Sequence, residues 1–306
     1  MKFVSKILLV ALAIGICAGF SGCTKNTDST NIQLENDEEG KILITVKDKS
    51  SQKPVSDANV IIVGMDDYFK TNDKGQSPEI SLKINKDLYK KYGDTLYKKA
   101  PSGSATVIVS KDGYKDYILF NKPVYAGYSA NNVNIQMSKS TDKDKGKYTI
   151  DVQYPHDLWV KELVAHCKEI NGENAGNGEY KIGVGVKDAN SKSLEGAFVT
   201  IPELGIKTKT DKSGKAVLKP GIIGNMADEY PVKKDLNEYT VVIYKDGYVP
   251  SVVFSVSAGK NSDGKVDIKL KGSKDPANEN CSVTYQPFDS EWISKVISAV
   301  KESYKE

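Results

Sequence analysis

The sequence predicts a mainly β protein built as two tandem β-sandwiches, each followed by a short strand and a helix. Three observations carry that expectation. Alternating apolar and polar runs recur at short intervals, separated by turn signals rich in Gly and Asp. The runs occur twice in the same order, over residues 41–137 and again over 181–270. The length, 306 residues, suits two domains of ordinary size.

The first segment is a leader rather than part of the fold. Lys2 and Lys6 precede an apolar run from Ile7 to Phe20, interrupted by Gly15 and Gly19. Its length fits a signal-peptide core better than a membrane-spanning helix. The run ends in Phe20-Ser21-Gly22-Cys23, which resembles the lipobox of bacterial lipoproteins. That resemblance implies a signal peptide over 1–22 and a lipid on Cys23. The protein would then be anchored to the cell membrane, facing its extracytoplasmic side. The alternative is an ordinary cleaved signal that leaves Cys23 as a thiol. Residues 23–39 are polar and read as a flexible tether.

The first sandwich is placed over 40–138 and the second over 179–271. Each opens with an alternating strand, Ile42-Leu43-Ile44-Thr45-Val46 in one copy and Ile182-Gly183-Val184-Gly185-Val186 in the other. Pro54 to Val60 and Ser193 to Val199 lead into second strands. Thr71-Asn72-Asp73-Lys74-Gly75 faces Thr210-Asp211-Lys212-Ser213-Gly214, where the Asp closes a tight turn and the Gly supplies a left-handed residue. Val107-Ile108-Val109 and Val241-Val242-Ile243 each run into Lys-Asp-Gly-Tyr, a hairpin signal. Val133 to Met137 and Val266 to Leu270 close the copies.

The order of these motifs resembles the carboxypeptidase regulatory-like family, whose sandwiches are of the transthyretin-like, Ig-like type. The resemblance covers about 95 residues in each copy and implies a fold, not an activity. Asp57 stands where that family has Gly before the Ala. Val186-Lys187-Asp188 with Leu194 to Phe198 also resembles the B-type repeats of surface adhesins. That likeness implies a possible Lys–Asp or Lys–Asn crosslink, with Lys187–Asp267 and Lys47–Asn134 as the pairs by strand position. The alternation puts both lysines on the solvent side.

Each sandwich carries a strand–helix appendage, over 139–178 and 272–306. Tyr148 to Val152 precedes a helix beginning near Leu158, and Ser282 to Tyr285 precedes one beginning near Glu291. Trp159 and Trp292 fall in matching first turns, and they are the only Trp of the chain. Trp159, Leu163, His166, Cys167 and Ile170 share one face, as do Trp292, Val296, Ile297 and Val300. Such faces are expected to pack on their own sandwich or on each other. On this organisation, a chain cut after residue 178 is expected to keep a folded first unit.

The residues offer little chemistry. All 43 basic residues are Lys, against 40 acidic ones, which argues against nucleic-acid partners. The only His are His156 and His166. His166-Cys167-Lys168-Glu169 matches a zinc H-x-x-E, but no later His supplies a third ligand, so no metal and no cofactor is expected. No nucleophile elbow, phosphate loop or dinucleotide fingerprint occurs. Of the four Cys, Cys167 and Cys281 remain once the signal, with Cys17, is removed and Cys23 is set aside; in an oxidising compartment they bridge, or they stay as two buried thiols.

A long insert, Lys86 to Lys99, is the candidate binding surface, with Tyr89, Tyr92, Tyr97, Lys90 and Lys91 as candidate ligand contacts. The competing reading is a short amphipathic helix that covers an open end of the sandwich. Its counterpart in the second copy spans Gly221 to Tyr239. The functional expectation is a non-catalytic, lipid-anchored surface protein that serves as a spacer or as a binding module for protein or glycan. The alternative is an enzyme, or an accessory to one, acting on cell-envelope polymers.

Overall fold

The computed structural model describes residues 39–303 apart from 128–130, 142–146, 224–229, 233–236 and 260–261. The leader, most of the tether and Cys23 lie outside the described residues. The described residues belong to one compact unit, 33–306.

The described residues are mainly β and form two sandwiches of eight strands each. In the first, β4 (Ile80–Lys83), β1 (Glu39–Asp48) and β7 (Asn131–Met137) form a three-stranded sheet in that order. It faces a five-stranded sheet ordered β3 (Tyr68–Lys70), β2 (Asn59–Ile62), β5 (Gly103–Ser110), β6 (Asp116–Val124) and β8 (Tyr148–Val152). The second sandwich repeats this with β12 (Lys215–Leu218), β9 (Ile182–Asp188) and β15 (Gly264–Leu270). Its facing sheet runs β11 (Ile206–Lys209), β10 (Phe198–Ile201), β13 (Asn237–Tyr244), β14 (Ser251–Ala258) and β16 (Ser282–Tyr285). In both copies the outermost partners β7, β8, β15 and β16 pair in parallel.

Each sandwich has its own core. Ile42, Ile44 and Val46 of β1 point inward and meet Val60, Val107, Val109 and Leu119. Ile182, Val184 and Val186 of β9 meet Val199, Val241, Ile243 and Val253. The strict alternation of β1 and β9 follows from burying one face only.

The matching turns share one device. The hydroxyl of Thr71 donates to Val55 O (2.7 Å) and accepts from Ala58 N (2.9 Å). Thr210 does the same with Leu194 O (2.6 Å) and Ala197 N (2.9 Å). The next residue caps the turn through its side chain. Asp211 Oδ1 accepts from the amides of Ser213 and Lys215 at 2.8 and 2.9 Å. In the first copy this residue is Asn72, which accepts from Lys74 and Gln76 at 2.9 and 3.0 Å, so Asn72 rather than Asp73 closes the turn. Gly75 (φ +72°) and Gly214 (φ +73°) follow. A Cβ on either would lie 2.4 Å from the carbonyl oxygen of Val46 or Val186, so geometry and space both demand glycine.

The appendages differ from the sequence expectation. Their strands, β8 and β16, are the fifth strands of their own sandwiches. Only the helices leave: α2 (Asp157–Glu169) and α3 (Ser290–Glu302). The insert before β5 folds as a 3-10 helix over Asp87–Tyr92 followed by α1 (Asp94–Lys98).

Candidate functional site

The most organised feature outside the two cores is the seam where each helix leaves its own sandwich for the other. α2 is capped by His156, whose Nδ1 accepts from Leu158 N at 3.2 Å. It buries Trp159, Val160, Leu163, Val164 and Cys167. Those side chains pack on Val242, Tyr244, Val252 and Phe254, which form the outer face of the second sandwich's five-stranded sheet. α3 is capped by Asp289, whose Oδ1 accepts from Glu291 N and Trp292 N at 2.8 and 2.9 Å. It buries Trp292, Ile293, Val296, Ile297 and Val300 against Ile61, Ile108, Ile118 and Phe120, the outer face of the first sandwich. The expectation that each Trp face covers its own sandwich or the other tail is therefore corrected. Each helix covers the other sandwich.

The inserts complete the seam. Tyr89 and Tyr92 meet Trp159 edge-on, with ring centroids 4.8 and 5.1 Å away. The Trp159 indole donates to Leu96 O at 3.0 Å. In the matching place Tyr230 meets Trp292 edge-on at 5.3 Å, and the Trp292 indole donates to Val232 O at 2.9 Å. The tyrosine hydroxyls then cross to the other sandwich. Tyr92 shares a hydrogen bond with Thr240 (2.7 Å), and Tyr230 shares one with Thr106 (2.7 Å).

Both threonines sit opposite a β-bulge, where the β5–β6 and β13–β14 registers shift. The extra residues, Asn121 and Ser255, have φ of 56° and 57°. A bulge re-aims neighbouring side chains, which here brings Thr106 and Thr240 to the seam. Asn121 itself donates to Tyr285 Oη of the other sandwich at 3.1 Å.

One acid departs from the two-fold pattern. Glu203, on a 3-10 helix over Pro202–Leu204, is 1% exposed at its side chain and pairs with Lys91 at 3.2 Å. Its Oε1 also accepts from Thr240 N at 2.8 Å, while Oε2 has no partner. Burial holds four groups of the seam neutral. Burial pushes Tyr89 up to about 12 and carries Tyr92 well above the ordinary phenol range, the latter with help from Glu203. Burial likewise raises Tyr285 and the Cys167 thiol. Groups shifted in this direction pack and donate hydrogen bonds; they do not ionise near neutrality.

The predicted contact residues are thus divided. Tyr89 and Tyr92 are buried against Trp159, so their rings are not offered to a glycan in this structure. Tyr97 lies partly buried against the same cluster, Lys91 is committed to Glu203, and Lys90 pairs with Asp87 at 2.6 Å on the surface. The amphipathic reading of the insert fits these positions, although the insert covers α2 rather than an open sandwich end. Cys167 and Cys281 are both thiols. Tyr244 of β13 donates to the carbonyl of Cys167 at 3.2 Å, whereas Cys281 leads into β16, two strands across the sheet. His166 is half-buried on α2, and no cluster of metal-ligating side chains occurs among the described residues. Lys47 and Lys187 are exposed, as the alternation predicts.

The seam had a signal in the sequence. Val107-Ile108-Val109, Ile118-Leu119-Phe120 and Val241-Val242-Ile243-Tyr244 are unbroken apolar runs, as expected of strands covered on both faces. Among the described residues, no helix is long and apolar enough to cross a membrane.

No protein family and no curated protein matches the chain. Solved structures similar to it include the Bacillus anthracis TIE protein. That match has 14% identity and a TM-score of 0.24, over 77% of this chain and 34% of that one. The shaft pilin SpaA from Lactobacillus rhamnosus GG matches at 14% identity and TM-score 0.21, over 77% of this chain and 98% of the pilin. A streptococcal ancillary pilin matches at 10% identity and TM-score 0.21, over 78% and 63%. The chain spans about a third of the TIE protein, and nothing of these proteins' roles is carried over at this level of likeness.

Proposed function

We propose that the protein is a non-catalytic, lipid-anchored cell-surface protein that acts as a rigid spacer or binding module for protein or glycan at the cell envelope. The observation that carries the spacer reading is the reciprocal crossing of α2 and α3. Two sandwiches joined only by a linker would move as beads. Here each contributes a helix and a tyrosine to the other, so the pair holds one pose. Tyr92 and Cys167 of the seam are kept un-ionised by burial, which suits packing and not acid–base chemistry. Lys91 and Glu203 are spent on each other. The sequence Phe20-Ser21-Gly22-Cys23 supports the anchor.

Two measurements test this. Metabolic labelling with a fatty acid should mark the wild type and leave Cys23→Ala unlabelled, either released from membranes or kept as unprocessed precursor; equal labelling of both removes the anchor. Labels on exposed sites of the two sandwiches should report one narrow distance distribution. A broad distribution removes the rigid spacer.

A further inference from the structure

α2 and α3 present the same face. Aligned on their Trp, the buried positions coincide in all five places: Trp159, Val160, Leu163, Val164 and Cys167 against Trp292, Ile293, Val296, Ile297 and Val300. Their acceptor faces coincide as well, with Ile108, Ile118 and Phe120 standing where the other sandwich has Val242, Val252 and Phe254. The chain is in effect two copies of one module, each of which donates a helix to another module. Nothing in the acceptor face distinguishes a helix of the same chain from one of a second copy.

The two helices differ in how they are held. α2 is fixed behind as well as in front: Asn174, just beyond it, exchanges two backbone hydrogen bonds with Lys207 of β11 at 2.7 and 2.9 Å. Asn280 donates to Asp157 Oδ2 at its start (2.7 Å). α3 reaches sandwich 1 through the four residues Gln286, Pro287, Phe288 and Asp289, which begin where β16 pairing ends with Gln286 N donating to Phe254 O (2.9 Å). Release of α3 leaves both sandwiches braced by α2.

We propose that the chain assembles with a second copy of itself by exchange of α3, each copy's helix covering the other's first sandwich in a closed two-fold dimer. The contacts that α3 makes with sandwich 1 are then remade across copies, including Lys301 with Asp116 (3.1 Å) and Tyr148 Oη with Ser290 O (2.8 Å). Because α3 meets the same face in either form, the balance is set mainly by the local concentration of copies against that of the tethered helix, about millimolar for a short connection. Dilute protein remains monomeric, and crowding favours the dimer.

Isotopically heavy and light chains, residues 24–306, are mixed in equal amounts at millimolar concentration, taken through mild urea and back, and treated with a carbodiimide. The reagent joins Lys and carboxylate groups already in contact. Exchange predicts Lys301–Asp116 links between heavy and light chains approaching half of all links at that pair. The pair Lys41–Glu79, both in sandwich 1 and 2.6 Å apart, should give same-isotope links only. Light scattering should report twice the chain mass. Same-isotope links alone at Lys301–Asp116, no link there, or mixed links at both pairs would overturn the proposal.

Discussion

Replacing Trp292 with Ala separates a crossed helix from one that serves its own half. Trp292 belongs by sequence to the second unit, yet its ring lies against Phe120 and Ile118 of the first. A buried Trp removes some 150–250 Å² from water, or about 4–6 kcal/mol at 25 cal/mol per Å², an upper bound against a real unfolded chain. Truncation of aromatic core residues costs about 3–5 kcal/mol. The hydrogen bond to Val232 O contributes about 1 kcal/mol within that range. Since each 1.4 kcal/mol is tenfold, local opening should become about 140-fold to 4000-fold more frequent. Hydrogen exchange reads this segment by segment. Protection should fall in β2, β5 and β6 of the first sandwich and stay near wild type in β13 and β14. Trp159→Ala should do the reverse. Protection lost in β13 and β14 on replacing Trp292 would mean that α3 serves its own sandwich, and the account of the seam would be wrong.

Other outcomes follow from the same contacts. Lys91→Met strands the buried Glu203 carboxylate and should destabilise the protein by about 3–5 kcal/mol, with Lys91→Met/Glu203→Leu recovering most of it in urea melts. Tyr92→Phe should cost about 1 kcal/mol by leaving Thr240 short of a partner, and adding Thr240→Val should restore part of that. Asp48 accepts from the Ser50 and Ser51 amides at 3.0 and 2.7 Å; these bonds, led by Ser51, hold its carboxyl down at about 2. A depressed carboxyl stabilises the fold above its unfolded value near ~4 and loses that effect as pH falls toward about 2. The stability gap between wild type and Asp48→Asn should therefore close over that interval in acid titrations. A fragment ending at residue 178 keeps its sandwich core but bares Ile61, Ile108, Ile118 and Phe120. It should stay folded, as the strand pattern suggests, but self-associate in sedimentation through that bared face.

The sequence by itself determined the duplication, the two sandwiches and their turns. Alternation in Ile42, Ile44 and Val46 and the Thr-to-Gly turns are local, and their consequences lie within a few residues. The paired Trp helices and their buried faces were legible for the same reason. The unbroken runs around Ile108 and Val242 announced that something covers the five-stranded sheets. What covers them was decided only by tertiary structure, because burial has no direction: an apolar stripe fits any apolar face of the right shape. Two helices with matching buried positions and two matching apolar faces allow either pairing. The turns at 153–156 and 286–289 aim each helix away from its own sheet. The insert's tyrosines looked like ligand contacts for a related reason. Composition marks Tyr89 and Tyr92 as adhesive, but only the position of α2 makes Trp159 the surface they adhere to.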